Sequence, residues 1–169
     1  MQHLDLIAHE ALRTAAGAPV LVSDGQRTVD LHTESGWCLA YARRVVEVAL
    51  GWPAGGLYQR HGTHRVERAP GPAGGAWWAR DLERSLREQG HALPTGTTPR
   101  PGHLLFYWRA ALNRHGVYVG HVGVVTYGGL VAENVDPAYR PHSLRRAQSR
   151  IVLTPVQRFA HSTIIQLPA

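Results

Sequence analysis

The sequence predicts an α+β domain in which helices come first and an antiparallel set of strands follows. Two observations carry this. Up to about residue 89 the apolar residues recur at helical spacing; from residue 103 they come in short runs rich in valine and aromatics. Gly128-Gly129 then marks a tight turn between two such runs, as in a β-hairpin. A length of 169 residues fits one domain, 1–169, with its own apolar core.

The elements follow in order. Leu4 to Ala16 carries Leu4, Ile7, Ala8, Ala11, Leu12 and Ala15 on one helical face, and Gly17 and Pro19 end it. Pro19 to Ser23 and Thr28 to Leu31 are short extended pieces around an Asp24-Gly25 turn. Cys38 to Leu50 is the strongest helix, with Cys38, Ala42, Val45, Val46 and Ala49 on one face. Ser35 or Thr33 is expected to cap it, and Gly51 with Pro53 to stop it. Residues 53 to 75, rich in Gly, Pro, His and Arg, are expected to form a long irregular loop. Ala76 to Gln89 is a further helix stacking Trp78, Leu82 and Leu86. Leu104 to Trp108, Tyr118 to Tyr127, Leu130 to Val135, Ile151 to Leu153 and Thr163 to Leu167 are predicted strands.

Composition narrows the function classes. No apolar run approaches the ~18 residues a membrane helix needs. Met1-Gln2-His3-Leu4-Asp5 has no basic stretch leading into an apolar core, so no secretory signal is expected; localisation stays open. The formal net charge is +6, and the 18 basic residues are all arginine. Such a surface favours anionic partners in general. Arg140, Arg145, Arg146 and Arg150 form a basic stretch, but no interleaved aromatics or nucleic-acid motif accompany it, so nucleic acid is not an expected partner.

The single cysteine is the chemically loaded residue. A lone cysteine is most often a small buried apolar side chain. Cys38 instead opens a helix directly after Gly36-Trp37, where unpaired N–H groups and the helix dipole lower a thiol pKa. Thiol catalysis also needs a proton acceptor and a group to orient it. Among 11 histidines, His121 lies within a strand pattern, Val119-Gly120-His121-Val122-Gly123, with glycines that leave room around the ring. The third member depends on hairpin register. With a two-residue turn at Gly128-Gly129, Asn134 opposes Gly123 and reaches His121 diagonally. With a three-residue turn, Tyr127 to Gly129, Glu133 takes the His121 face and Asn134 leaves it. The sequence leaves both registers open.

Gly36-Trp37-Cys38-Leu39-Ala40-Tyr41, Arg100-Pro101-Gly102-His103-Leu104, Gly120-His121-Val122-Gly123 and Val131-Ala132-Glu133-Asn134 occur in this order. Together they resemble the NlpC-type and CHAP superfamily of papain-like cysteine hydrolases. That resemblance covers residues 33 to 136 and implies a papain-like fold, with Cys38 as nucleophile, His121 as base and Glu133 or Asn134 as orienting residue. It implies a cysteine peptidase or amidase acting on peptide or amide bonds of bacterial peptidoglycan, with no cofactor. His103 departs from the pattern, which usually has Asp after Pro-Gly. Residues 1 to 32 match no motif and stand as an N-terminal extension. A catalytically silent binding or structural module on the same fold, such as a phage-tail or secretion component, is the alternative.

The remaining candidates have plainer readings. His61 and His64, with His32, His91, His103 and His115, lack the spacing of a zinc site, so no metal is expected. Trp52 and Trp77 could line a cleft, whereas Trp78 and Tyr41 read as packing residues.

Overall fold

The computed structural model describes residues 2–23, 27–34, 36–61, 79–107, 120–135, 144–145 and 149–169. Outside these fall several features singled out in the sequence: the Asp24-Gly25 turn, Ser35, His64, Trp77, Trp78, His115, Tyr118, Arg140 and Arg146. The mixed helix-and-strand class is as expected. Helices α1 (His3–Ala15), α2 (Cys38–Ala49), α3 (Gly56–His61) and α4 (Ala79–Glu88) precede the main sheet. Between α1 and α2, β1 (Leu21–Ser23) and β2 (Thr28–Asp30) pair as a small antiparallel hairpin.

The main sheet contains β3 (Leu104–Tyr107), β4 (His121–Val125), β5 (Leu130–Asn134), β6 (Leu144–Arg145), β7 (Ile151–Pro155) and β8 (Thr163–Ile165). Its spatial order is β6-β7-β5-β4-β3-β8, with every neighbouring pair antiparallel. The sheet is therefore a meander from β3 to β5 whose last strand returns to the far edge, beside β3. The two-residue strand β6 had no signature in the sequence.

Strand alternation divides the core. Leu104, Phe106, Val122, Val124 and Ala132 pack with the apolar side of α2, namely Leu39, Tyr41, Ala42, Val45 and Val46. Each large apolar side chain so buried contributes about 1.5–3 kcal/mol. Leu105, Val125, Val131 and Ile164 form a second cluster, closed by Phe159 from the 3-10 turn Val156–Phe159. Both faces of the strands next to the site are thus covered.

Residues 1 to 32 are not an appendage. Ile7, Ala11, Ala15, Val20, Val22, Val29 and Leu31 belong to the same cluster as α2. Thr14 Oγ1 and the Tyr41 hydroxyl lie 2.9 Å apart inside it, so Tyr41 is a packing residue, as its spacing predicted.

Two local expectations need correction. The segment 53 to 75 is not wholly irregular, because Gly56–His61 forms a helical turn whose Leu57 is buried. The backbone N–H of Leu57 donates to the buried Glu47 Oε1 at 3.2 Å, which docks α3 on α2. Thr33 does not cap α2 either. Its hydroxyl donates to Asp30 O at 3.0 Å, and Trp37 occupies the cap position without a side-chain bond.

Candidate active site

The hairpin adopts the three-residue turn. Tyr127–Gly129 forms a 3-10 turn, with Gly128 and Gly129 at φ 71° and 70°, and Val124 pairs with Ala132 and Val125 with Val131. In this register His121, Gly123, Val131 and Glu133 share a face. Gly123 is needed there: a Cβ would lie 2.5 Å from Val131 Cγ1 and 3.5 Å from Glu133 Cβ. The space that the glycine leaves is thus filled by β5 side chains. Gly120, at φ 68°, starts the strand beside Arg80, whose backbone nitrogen would be 3.2 Å from an added Cβ.

Glu133 is the residue bonded to His121. Its Oε2 lies 2.6 Å from His121 Nε2. The carboxylate side chain is wholly buried while His121 keeps 14 % exposure, so solvent reaches the imidazole but not its anionic partner. Thr154 on β7 donates its hydroxyl to the other oxygen, Oε1, at 2.5 Å. Phe159 stacks beside the imidazole with ring centroids 6.5 Å apart. His121 is therefore held by a carboxylate on one edge, with the Phe159 ring roughly parallel to it further off.

Asn134 does not reach His121 as an orienting residue; the two-residue turn that would bring it there is not formed. Facing the opposite side of β5, it clamps the segment before Cys38. Its Oδ1 accepts from the Trp37 backbone N–H at 2.9 Å. Its amide nitrogen donates to Leu31 O and Glu34 O, both at 2.8 Å. These bonds carry α2's first turn to the end of the sheet where β5 stops and β4 begins.

Cys38, the first residue of α2, and His121, the first residue of β4, come together at that end, and the charge of each acts on the other. With Nε2 on Glu133, the ring's Nδ1 is the nitrogen left for the sulfur. The backbone N–H groups of Val122 and Leu39 also favour the thiolate. Dense packing around the sulfur pushes the thiol pKa up. The charge and hydrogen bond of His121, with the two N–H groups, outweigh that, and the net shift is down. Burial likewise disfavours the imidazolium. Cys38, and then Glu133, more than offset this and raise the His121 pKa to about 10. Each shift favours the charged form of its group, the thiolate of Cys38 and the imidazolium of His121.

The other singled-out residues lie in structural roles. His103 is buried, and its Nδ1 accepts from the Arg100 backbone N–H at 3.1 Å, tying the turn that leads into β3. A carboxylate could accept the same bond, so the departure at this position preserves the local geometry. His61 joins α3 to α4 through Gln89 Oε1 at 3.0 Å and packs edge-on against His91. His32 bridges Ser149 Oγ and Ala18 O, both at 2.9 Å. Trp52 lies under the Arg60 guanidinium, 4.5 Å from the ring centroid. Among the described residues, no group of His, Cys, Asp or Glu side chains is arranged to hold a metal ion, and no helix is long and apolar enough to cross a membrane.

Thr154 is the site residue the sequence reading missed. The predicted strand stopped at Leu153, and the long connection from β5 to β7 offers no turn from which to count a register. Comparison with protein-family models, curated proteins and solved structures finds no match to this chain.

Proposed function

We propose that the protein is a cysteine hydrolase of the papain-like type that cleaves peptide or amide bonds of bacterial peptidoglycan by acyl transfer to water. The observation that carries the reading is the linked set Cys38, His121 and Glu133: a lowered thiol at a helix start, an imidazole whose charge lowers it, and a buried carboxylate 2.6 Å from the ring. The order of elements, with the cysteine helix packed on an antiparallel sheet that supplies the histidine, supports the papain-like comparison. The net charge of +6 suits an anionic wall polymer.

In the proposed reaction the Cys38 thiolate attacks the substrate carbonyl carbon. The oxyanion takes a hydrogen bond from the Cys38 backbone N–H at the start of α2. His121 donates its proton to the leaving amine as the carbon–nitrogen bond breaks, giving a thioester. It then takes a proton from water, whose oxygen attacks the thioester, and keeps that proton as the carbon–sulfur bond breaks, so the acid product leaves and the thiolate and imidazolium are restored. Glu133 keeps the imidazolium aligned throughout. The test is release of soluble fragments from purified peptidoglycan by the wild type and by Cys38→Ala. Loss of release in the variant is expected. Equal release by both proteins would sink the reading.

A further inference from the structure

We propose that Thr154 is a positioning residue of this site, holding the Glu133 carboxylate aimed at His121. The inference rests on reading the site as a thiolate–imidazolium pair, and adds to it a fourth residue on a third strand.

Thr154 pairs with Val131 across β5 and β7, while Glu133 pairs with Val152. Thr154 and Glu133 are thus diagonal neighbours on one face of the sheet, within reach of each other. Both are almost wholly buried, at 1 % and 0 % exposure, so water is a poor substitute for the bond between them. The threonine hydroxyl donates to Oε1 at 2.5 Å while the imidazole holds Oε2 at 2.6 Å. A buried carboxylate stays charged when hydrogen-bond donors compensate for lost hydration. Without the hydroxyl the charged form loses a donor at Oε1, and the aim of Oε2 at the ring is less firmly fixed. The imidazolium then loses part of its counter-charge, and the thiolate loses part of its own. The fixed geometry of β5 and β7 makes this a one-atom device: valine at 154 has nearly the same shape and lacks only the donor.

The readout is the pH dependence of Cys38 alkylation by iodoacetamide, followed by the intact mass. The chain has one cysteine, so a single adduct reports this thiol alone. No substrate is involved, so failure to cleave peptidoglycan would leave this measurement standing. Thr154→Val is expected to move the alkylation midpoint up by about one pH unit, a rate loss of about tenfold on the acid limb. Thr154→Ser, which keeps the donor, is expected to stay within a few tenths of wild type. In a Glu133→Gln background Thr154→Val should add no further shift. If the valine variant does not fold, Thr154→Ala answers the same question with the same expected displacement. A midpoint unmoved by loss of the hydroxyl, or moved equally by serine, overturns the proposal. A wild-type thiol with an ordinary midpoint overturns both the pair and the role built on it.

Discussion

Glu133 and Asn134 are consecutive residues of β5 that hold the two halves of the site from opposite faces of one strand. Glu133 binds the ring of His121, and Asn134 binds the backbone leading into Cys38. Strand alternation therefore sets both His121 and the approach to Cys38 from a single dipeptide. A slip of one residue in the hairpin would exchange the two side chains and dismantle both supports.

Replacing Glu133 with Gln keeps the shape and removes the charge facing the imidazolium. Hydrolysis should fall by about 10²-fold or more, in the range attributed to a well-placed general acid–base partner. The acid limb of the rate profile should move to higher pH, because the thiolate depends on a charged His121. Steady-state rates against pH check this; an unchanged profile would remove Glu133 from the mechanism.

Asn134→Leu is expected to destabilise the fold and mispack the segment before α2. It strands the Trp37 N–H and the Leu31 and Glu34 carbonyls, whose present bonds are 2.8–2.9 Å long. The combined cost is about 2–4 kcal/mol, read as a lower urea midpoint. Asn134→Asp retains the acceptor for Trp37 but not the two donated bonds, so its midpoint should fall between the two.

The Cys38–His121 pair should give a flat stability plateau near neutral pH. His121 has its pKa raised from 6.5 to about 10, so its contribution is complete below 6.5 and lost as pH climbs towards 10. Cys38 is lowered from 9.0, so its contribution is complete above 9.0 and lost as pH falls through its folded value. Between about 6.5 and 9.0 the His121 contribution grows as pH falls while that of Cys38 fades, so the two effects trade off. Urea midpoints of wild type, less those of a Cys38→Ala, His121→Ala double variant, should be level across that window. They should decline on either side, and a steady slope through the window would contradict the coupled pair.

Gly123→Ala is expected to cost about 1–3 kcal/mol by overpacking, since the new methyl would lie 2.5 Å from Val131 Cγ1. Thermal melting measures the loss. A melting temperature equal to wild type would mean that β5 can shift away without disturbing Glu133.

Much of this was legible in the sequence. The period of 3.6 in Leu4 to Ala16 and in Cys38 to Leu50 locates α1 and α2 to within a residue, because each buries a continuous apolar stripe. The hairpin was legible as an element but not in register, since Gly-Gly is compatible with either turn and Tyr127 carries no marker for joining it. That one ambiguity decided between Glu133 and Asn134. Short elements such as β6 and α3 left no periodic trace; α3 is fixed instead by tertiary bonds such as that from Leu57 to Glu47. Thr154 escaped because its partner is distant in sequence and the pairing follows from the sheet order alone.

The contact between Thr14 and Tyr41 has a consequence for how the chain can be divided. The stretch least recognisable by motif, residues 1 to 32, is the wall against which the nucleophile's helix leans. A shortened protein begun at residue 33, where the recognisable motifs start, would leave the Tyr41 hydroxyl without its buried partner and the side of α2 that faces α1 open to water. Such a fragment should collect in the insoluble fraction on expression while the full chain stays dissolved. Changes far from the thiol, at Ile7 or Ala11, would then disturb the packing that holds the helix carrying Cys38.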